Sequence, residues 1–192
     1  MNPTQTTLTH FIDANRPAQE AFLAELVKVP SDNPPGDCDA HGARARQLLE
    51  GLGFQVEAHK VPDELVKAAG MISATNLIVR KTFGNGGPTI AMNAHGDVVP
   101  PGLGWTKDPY GGEIADSEHG PVMYGRGVAV SKSDFATYTY AVLALMEAEK
   151  QGAKLNGTVE LQFTYDEETG GDIGPKFLLD QGLTKPDYAI SA

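Results

Sequence analysis

The chain has 192 residues, 41% apolar and 21% charged, a globular balance that excludes wholesale disorder. Its 15 Lys and Arg against 25 Asp and Glu leave a net charge of −10, which argues against a nucleic-acid backbone as a partner. The 22 Gly and 13 Pro follow no period, so they point to a loop-rich α/β protein and not to a fibre.

The segment Met1–His10 is polar and lacks the basic and apolar regions of a secretory leader. No apolar run is long enough to span a membrane. A cytoplasmic protein with no membrane partner is therefore expected. The single cysteine, Cys38, cannot form an internal disulfide and reads as a small buried or loop residue.

From Arg16 to Lys28, Ala18, Ala21, Phe22 and Leu26 recur at helical spacing, and Pro30 bars continuation. Ser31–Gly36 (SDNPPG) is a turn cluster. Asp39–Leu52 is a second helix, with Gly53 as its stop. Phe54–Lys60 alternates as a strand with one solvated face. Asn76–Thr82 and Thr89–Ala94 are further strands, and the glycine-rich Phe83–Pro88 between them predicts a hairpin loop. Pro100–Met123 reads as a long loop-rich stretch. Lys132–Lys150 is the best helix, built on Phe135, Tyr138, Val142, Leu145 and Met146. The strand Val159–Phe163, the helix Pro175–Gln181 with Gly182 as its stop, and the strand Tyr188–Ile190 complete the pattern. Alternation of strands and helices predicts an α/β fold with a mixed sheet.

Three stretches at predicted strand ends carry chemistry, where open α/β sheets place ligands. His95-Gly-Asp97 puts an imidazole and a carboxylate on the same side of an extended segment. That is the arrangement in which a carboxylate orients a zinc-binding histidine, or a structural pair that closes a loop. Asp166-Glu167-Glu168 sets three adjacent acids at a strand end. Their repulsion calls for a cation or for solvent, so the alternatives are a metal site and an acidic turn before the next helix. Tyr124–Asp134 (YGRGVAVSKSD) is neither a dinucleotide fingerprint nor a phosphate loop, and Ser131 or Ser133 reads as a helix cap.

The order HGDVVP, then Trp105-x-x-Asp-Pro-Tyr-Gly-Gly112, then YGRG, then DEETGG resembles the M20 family of zinc-dependent amidohydrolases and peptidases. The resemblance implies a three-layer α/β/α fold with a mixed, mostly parallel sheet. It also implies hydrolysis of an amide bond in a small peptide or N-acyl amino acid. His95 and Glu168 would then be metal ligands, Asp97 the carboxylate that orients His95, and Glu167 the general base. The cation would be Zn2+, one or two ions, with Co2+ or Mn2+ as substitutes.

Two departures from the family pattern stand out. Where the family carries an aspartate that bridges two metals, this chain has Val130, which cannot ligate. Asp134 lies four residues on, one helical turn away, and is expected to substitute for it; the alternative is a first-turn aspartate stabilised by the helix dipole. Val130 also opens a second reading, a non-catalytic relative with a degraded metal site that acts in binding. By the same resemblance, residues 1–15 are an extension and 16–192 are the N-terminal part of a catalytic domain. The lid domain, a later acidic ligand and a late histidine would be absent. The full-length form is expected to be a homodimer, and the chain alone to bind metal weakly and to be inactive. His10, His41, His59 and His119 match no family motif and read as surface or loop residues.

Overall fold

The structure is a computed structural model and describes residues 2–118 and 120–192. Pro3–Ala14 forms helix α1, which the sequence pattern did not mark. Asn2 and Gln5 exchange side-chain and backbone hydrogen bonds in a capping box that starts it. Helix α1 lies against the long helix described below as α5. Arg16–Val27 is α2 and Asp39–Gly51 is α3, as expected, and Gly53 turns the chain at φ 89°.

Val56–Lys60 (β1) leads through a short helix, Asp63–Ala68 (α4), into Thr75–Phe83 (β2) and then Thr89–His95 (β3). The stretch expected to be loop also contains a hairpin, Glu113–Ser117 (β4) against Gly120–Tyr124 (β5). Lys132–Lys150 is α5, with the expected bounds. Gly157–Thr164 (β6), Pro175–Asp180 (α6) and Tyr188–Ser191 (β7) follow.

The main sheet runs β1-β2-β6-β3-β7. Strand β6 therefore lies between β2 and β3, so Phe83–Pro88 is not the hairpin loop its glycines suggested. It is a connection past one strand, held by Asn156, whose Oδ1 accepts the Asn85 N–H at 3.2 Å. Among the described residues, β1–β2 and β2–β6 are antiparallel while β6–β3 and β3–β7 are parallel. The sheet is mixed as expected, but its pairings divide evenly and show no parallel majority.

Alternating residues of the strands feed opposite faces. Leu77, Val79, Ala94, Leu161 and Phe163 face α2, α3 and α5, where Phe135 stacks on Phe163 at 3.9 Å between centroids. Ile78 faces the other way, toward Val66 of α4 and Phe177 and Leu178 of α6. The result is the expected three layers. Each fully buried large apolar side chain contributes about 1.5–3 kcal/mol. No helix of the described residues is long and apolar enough to cross a membrane.

One charge sits inside this frame. Lys132 is fully buried, and its Nζ donates to the carbonyls of Val29 at 3.0 Å and Leu26 at 3.4 Å, at the negative end of α2. Burial pulls its pKa down to about 8, against the opposing pull of Asp32. Between that value and the ordinary lysine value, the unfolded chain holds a proton that the folded chain has released. Stability then rises with pH across that window. Urea unfolding at pH 7.5 and 9.5 is expected to show this rise in the native protein and to lose it in Lys132→Met. An equal response of the two proteins would contradict it.

Candidate metal site

Strands β3 and β6 run parallel with His95 opposite Thr164, and the Gly96 N–H donates to the Thr164 carbonyl at 2.9 Å. The chain leaves both strands at the same end of the sheet. Register alone therefore brings the His95–Asp97 turn against the turn that carries Glu167 and Glu168. Gly96 is required for this approach, because a Cβ there would lie 2.6 Å from the Tyr165 ring and 3.0 Å from His41. On the β6 side, Asp166 takes a left-handed φ of 99°, a conformation that Asp tolerates better than most residues. Its Oδ2 accepts the Ile173 N–H at 2.7 Å, and residues Glu167–Thr169 follow as one 3-10 turn.

His95 is 3% exposed. Its Nδ1 lies 2.9 Å from the Asp97 carbonyl oxygen and 3.4 Å from Asp97 Oδ1. A carbonyl oxygen only accepts, so Nδ1 carries the proton and Nε2 presents its lone pair outward. Nε2 is 3.7 Å from Glu167 Oε2. Donor atoms of His95, Glu167 and Glu168 all lie within 4.8 Å of one another. Glu168 Oε1 also accepts the Val99 N–H at 3.2 Å.

Asp97 is fully buried. Its Oδ2 accepts from Asn33 Nδ2 at 2.9 Å and from the Glu168 N–H at 3.2 Å, while Oδ1 accepts the Glu167 N–H at 3.3 Å. Burial opposes charge on both members of the His–Asp pair. The bond and charge of Asp97, with Glu167 behind it, overcome that and hold His95 above its ordinary value. Likewise His95 and Asn33 outweigh burial and hold Asp97 below the ordinary carboxylate range.

An imidazole nitrogen and two carboxylates converging at a strand end suit a borderline divalent cation such as zinc, cobalt or manganese. The proton on Nδ1 fits this, because it leaves Nε2 as the free donor. Four of the sequence-predicted residues thus come together: His95, Asp97, Glu167 and Glu168. Asp134 stands apart from the donor group, in the first turn of α5, where its Oδ2 lies 3.3 Å from the hydroxyls of Ser131 and Ser133. Ser131 holds the N-cap position of α5 without a capping side-chain bond; its Oγ instead accepts the His95 N–H at 3.3 Å. Val130 is 64% exposed.

The histidine expectation needs one correction. His41 is neither surface nor loop. It is fully buried on α3, with Nδ1 2.8 Å from the Tyr165 hydroxyl, and burial keeps its imidazole neutral. Together His41 and Tyr165 floor the Gly96 turn. His10 is exposed, His59 is half-buried on β1, and His119 lies outside the described residues.

The sequence also missed the brace formed by Ser31–Gly36. The Ser31 hydroxyl donates to the Gly96 carbonyl at 2.6 Å, the Asn33 N–H to Val98 O at 2.8 Å, and the Val98 N–H to Ser31 O at 3.0 Å. Tyr110 donates its hydroxyl to the Asp32 carboxylate at 2.6 and 2.8 Å. A Ser-Asp-Asn-Pro-Pro-Gly stretch reads as a turn, and nothing in it alone distinguishes a brace from a connector.

The profile of peptidase family M20/M25/M40 matches residues 91–192, which hold all four of these side chains. The chain belongs to peptidase family M20/M25/M40. Among curated M20 relatives, the succinyl-diaminopimelate desuccinylase of Rhodospirillum centenum is 36% identical over 83% of this chain and 38% of its own length. That of Gluconobacter oxydans is 35% identical over 88% and 41%. The chain thus spans about two-fifths of the length of these relatives. Among solved structures, the dipeptidase Dug1p of Saccharomyces cerevisiae shares the fold at a TM-score of 0.75 and 17% identity, covering 100% of this chain and 41% of that one. Human carnosine dipeptidase 1 does so at 0.70 and 19%, covering 97% and 40%.

Substitutions separate the donor group from its surroundings. His95→Ala is expected to abolish zinc binding measured by titration calorimetry. Asp134→Ala is expected to leave zinc binding unchanged. Loss of zinc binding by the Asp134 variant would place that carboxylate in the site after all.

Proposed function

We propose that this chain supplies a metal-binding part of a hydrolase that cleaves the amide bond of a small N-acyl amino acid or peptide. The observation that carries this reading is the convergence of His95, Glu167 and Glu168 donor atoms within 4.8 Å, beside the buried Asp97. The M20/M25/M40 match supports it, as do relatives named for removing a succinyl group from an amino acid. Zinc is the cation this reading favours.

In this reading His95 Nε2 and Glu168 hold the cation. When bound, the cation supplies a charge that polarises the amide carbonyl and makes a water molecule easier to deprotonate. Asp97 keeps the proton on His95 Nδ1 and fixes the plane of the ring. Glu167 takes the proton of the attacking water and delivers it to the departing amine, so that the C–N bond breaks to a carboxylic acid and a free amine. Its side chain is 59% exposed, which leaves it room to move between the two positions. In its full natural length the protein is proposed to act as a homodimer, as the family resemblance implies.

Val130, exposed where the family resemblance places a bridging carboxylate, favours a second reading, a binding protein without turnover. Zinc-dependent release of succinate from N-succinyl amino acids by the protein in its full natural length separates the two. Glu167→Gln is expected to lower that rate by about 10²–10⁴-fold with zinc content unchanged. No hydrolysis of any N-acyl amino acid or dipeptide by the folded, zinc-loaded protein would overturn the enzyme reading.

A further inference from the structure

We infer that Asn33 is a positioning residue for the metal site, a clamp that holds the Asp97 carboxylate and the Glu167–Thr169 turn in register with His95. The inference rests on the metal-site reading above and concerns a residue outside both strand-end motifs.

Asn33 is 1% exposed. Its Nδ2 donates to Asp97 Oδ2 at 2.9 Å and to Thr169 Oγ1 at 3.2 Å. The same nitrogen also lies 3.6 Å from Met71 Sδ, a weak acceptor, so its two protons serve the closer oxygens and one group grips the β3 turn and the β6 turn together. The Asn33 backbone is itself anchored, with its N–H on the Val98 carbonyl at 2.8 Å. Beyond the turns being held, the same segment is fixed where the Gly36 carbonyl accepts the Ile72 and Ser73 N–H groups at 3.1 and 3.0 Å.

The orientation of the amide is decided by its surroundings. Turned the other way, Oδ1 would face a carboxylate oxygen, and acceptor would meet acceptor. In the observed orientation Oδ1 is buried and has no partner. An unpaired buried acceptor is unfavourable, and its retention marks a residue held for what its other end does. The remaining Asp97 partners, His95 and the Glu167 and Glu168 N–H groups, all belong to the turns being held. Asn33 alone among these donors comes from elsewhere in the chain, so it can tie the pair to the body of the fold.

The neutrality of the amide also matters. A lysine or arginine here would satisfy Asp97 equally well but would set a full positive charge beside the place a cation is to occupy. Asn33 satisfies the carboxylate without that repulsion. Outer partners of metal ligands commonly alter metal affinity by about 10–100-fold when removed.

The test is Co2+ binding, followed by calorimetry and by the visible ligand-field spectrum, in the native protein and in Asn33→Ala, Asn33→Asp and Asp37→Asn. Asp37 sits in the same segment and accepts from the Ser73 hydroxyl, away from the site, so its variant is the control. Both Asn33 variants are expected to bind Co2+ about 10–100-fold more weakly with a shifted spectrum, while Asp37→Asn matches the native protein. A lowered melting temperature with unaltered Co2+ affinity and spectrum would overturn the inference, since Asn33 would then serve the fold alone. Failure of both Asn33 variants to fold would overturn it for the same reason. Absence of Co2+ binding by the native protein would refute the metal-site reading itself, a different result from loss in the variants only.

Discussion

A carboxylate with no access to water is the interaction on which this site depends. Asp97 is buried at the end of β3 and draws donors from three places: the ring of His95, the backbone at Glu167 and Glu168, and the side chain of Asn33. An isolated buried charge is strongly unfavourable, and in this position it is tolerable only because every one of these groups is aimed at it. The same bonds that satisfy Asp97 also fix the positions of the candidate donors His95, Glu167 and Glu168. Satisfying the buried charge and building the site are one event.

The sheet makes that event possible. Because β6 lies between β2 and β3 and pairs parallel with β3, two motifs about seventy residues apart in sequence leave the sheet side by side. Lys132 and the helix ends it bonds then hold the chain just before Ser31, where the brace begins. His41 and Tyr165 fill the space beneath Gly96, so the turn cannot sink into the core. These groups are buried ionisable side chains outside the donor group, and each closes a gap that a smaller residue would leave.

Periodicity made α2, α3, α5 and the inner strands β2, β3 and β6 legible, because each has a clear buried face. The short helix α4 and the β4–β5 hairpin carry too little pattern to register. Helix α1 escaped because its sequence is polar and none of its residues is buried. The strand order was not legible either. Glycines at 84, 86 and 87 look the same in a hairpin as in a connection past an intervening strand, and only the long-range pairing of β6 decides. At the site, the His95–Asp97 and Asp166–Glu168 clusters stood out as chemically odd at strand ends, but alone they fitted a structural pair and an acidic turn equally well; the resemblance to the M20 family is what singled out His95, Asp97, Glu167 and Glu168. Asn33, Ser31 and Tyr165 did not stand out, because Asn-Pro-Pro reads as turn chemistry and a tyrosine after a strand reads as core. His41 shows the converse: a histidine without a motif proved to be a buried support.

The central claim is that His95 and Glu168 hold a divalent cation beside Glu167. Its most direct test is a crystal structure of the protein grown with zinc, with anomalous diffraction recorded on both sides of the zinc absorption edge. The account predicts an anomalous peak bonded to His95 Nε2 and the Glu168 carboxylate, with His95 Nδ1 still on Asp97. A peak elsewhere on the chain, with His95 Nε2 unligated in zinc-saturated crystals, would contradict it.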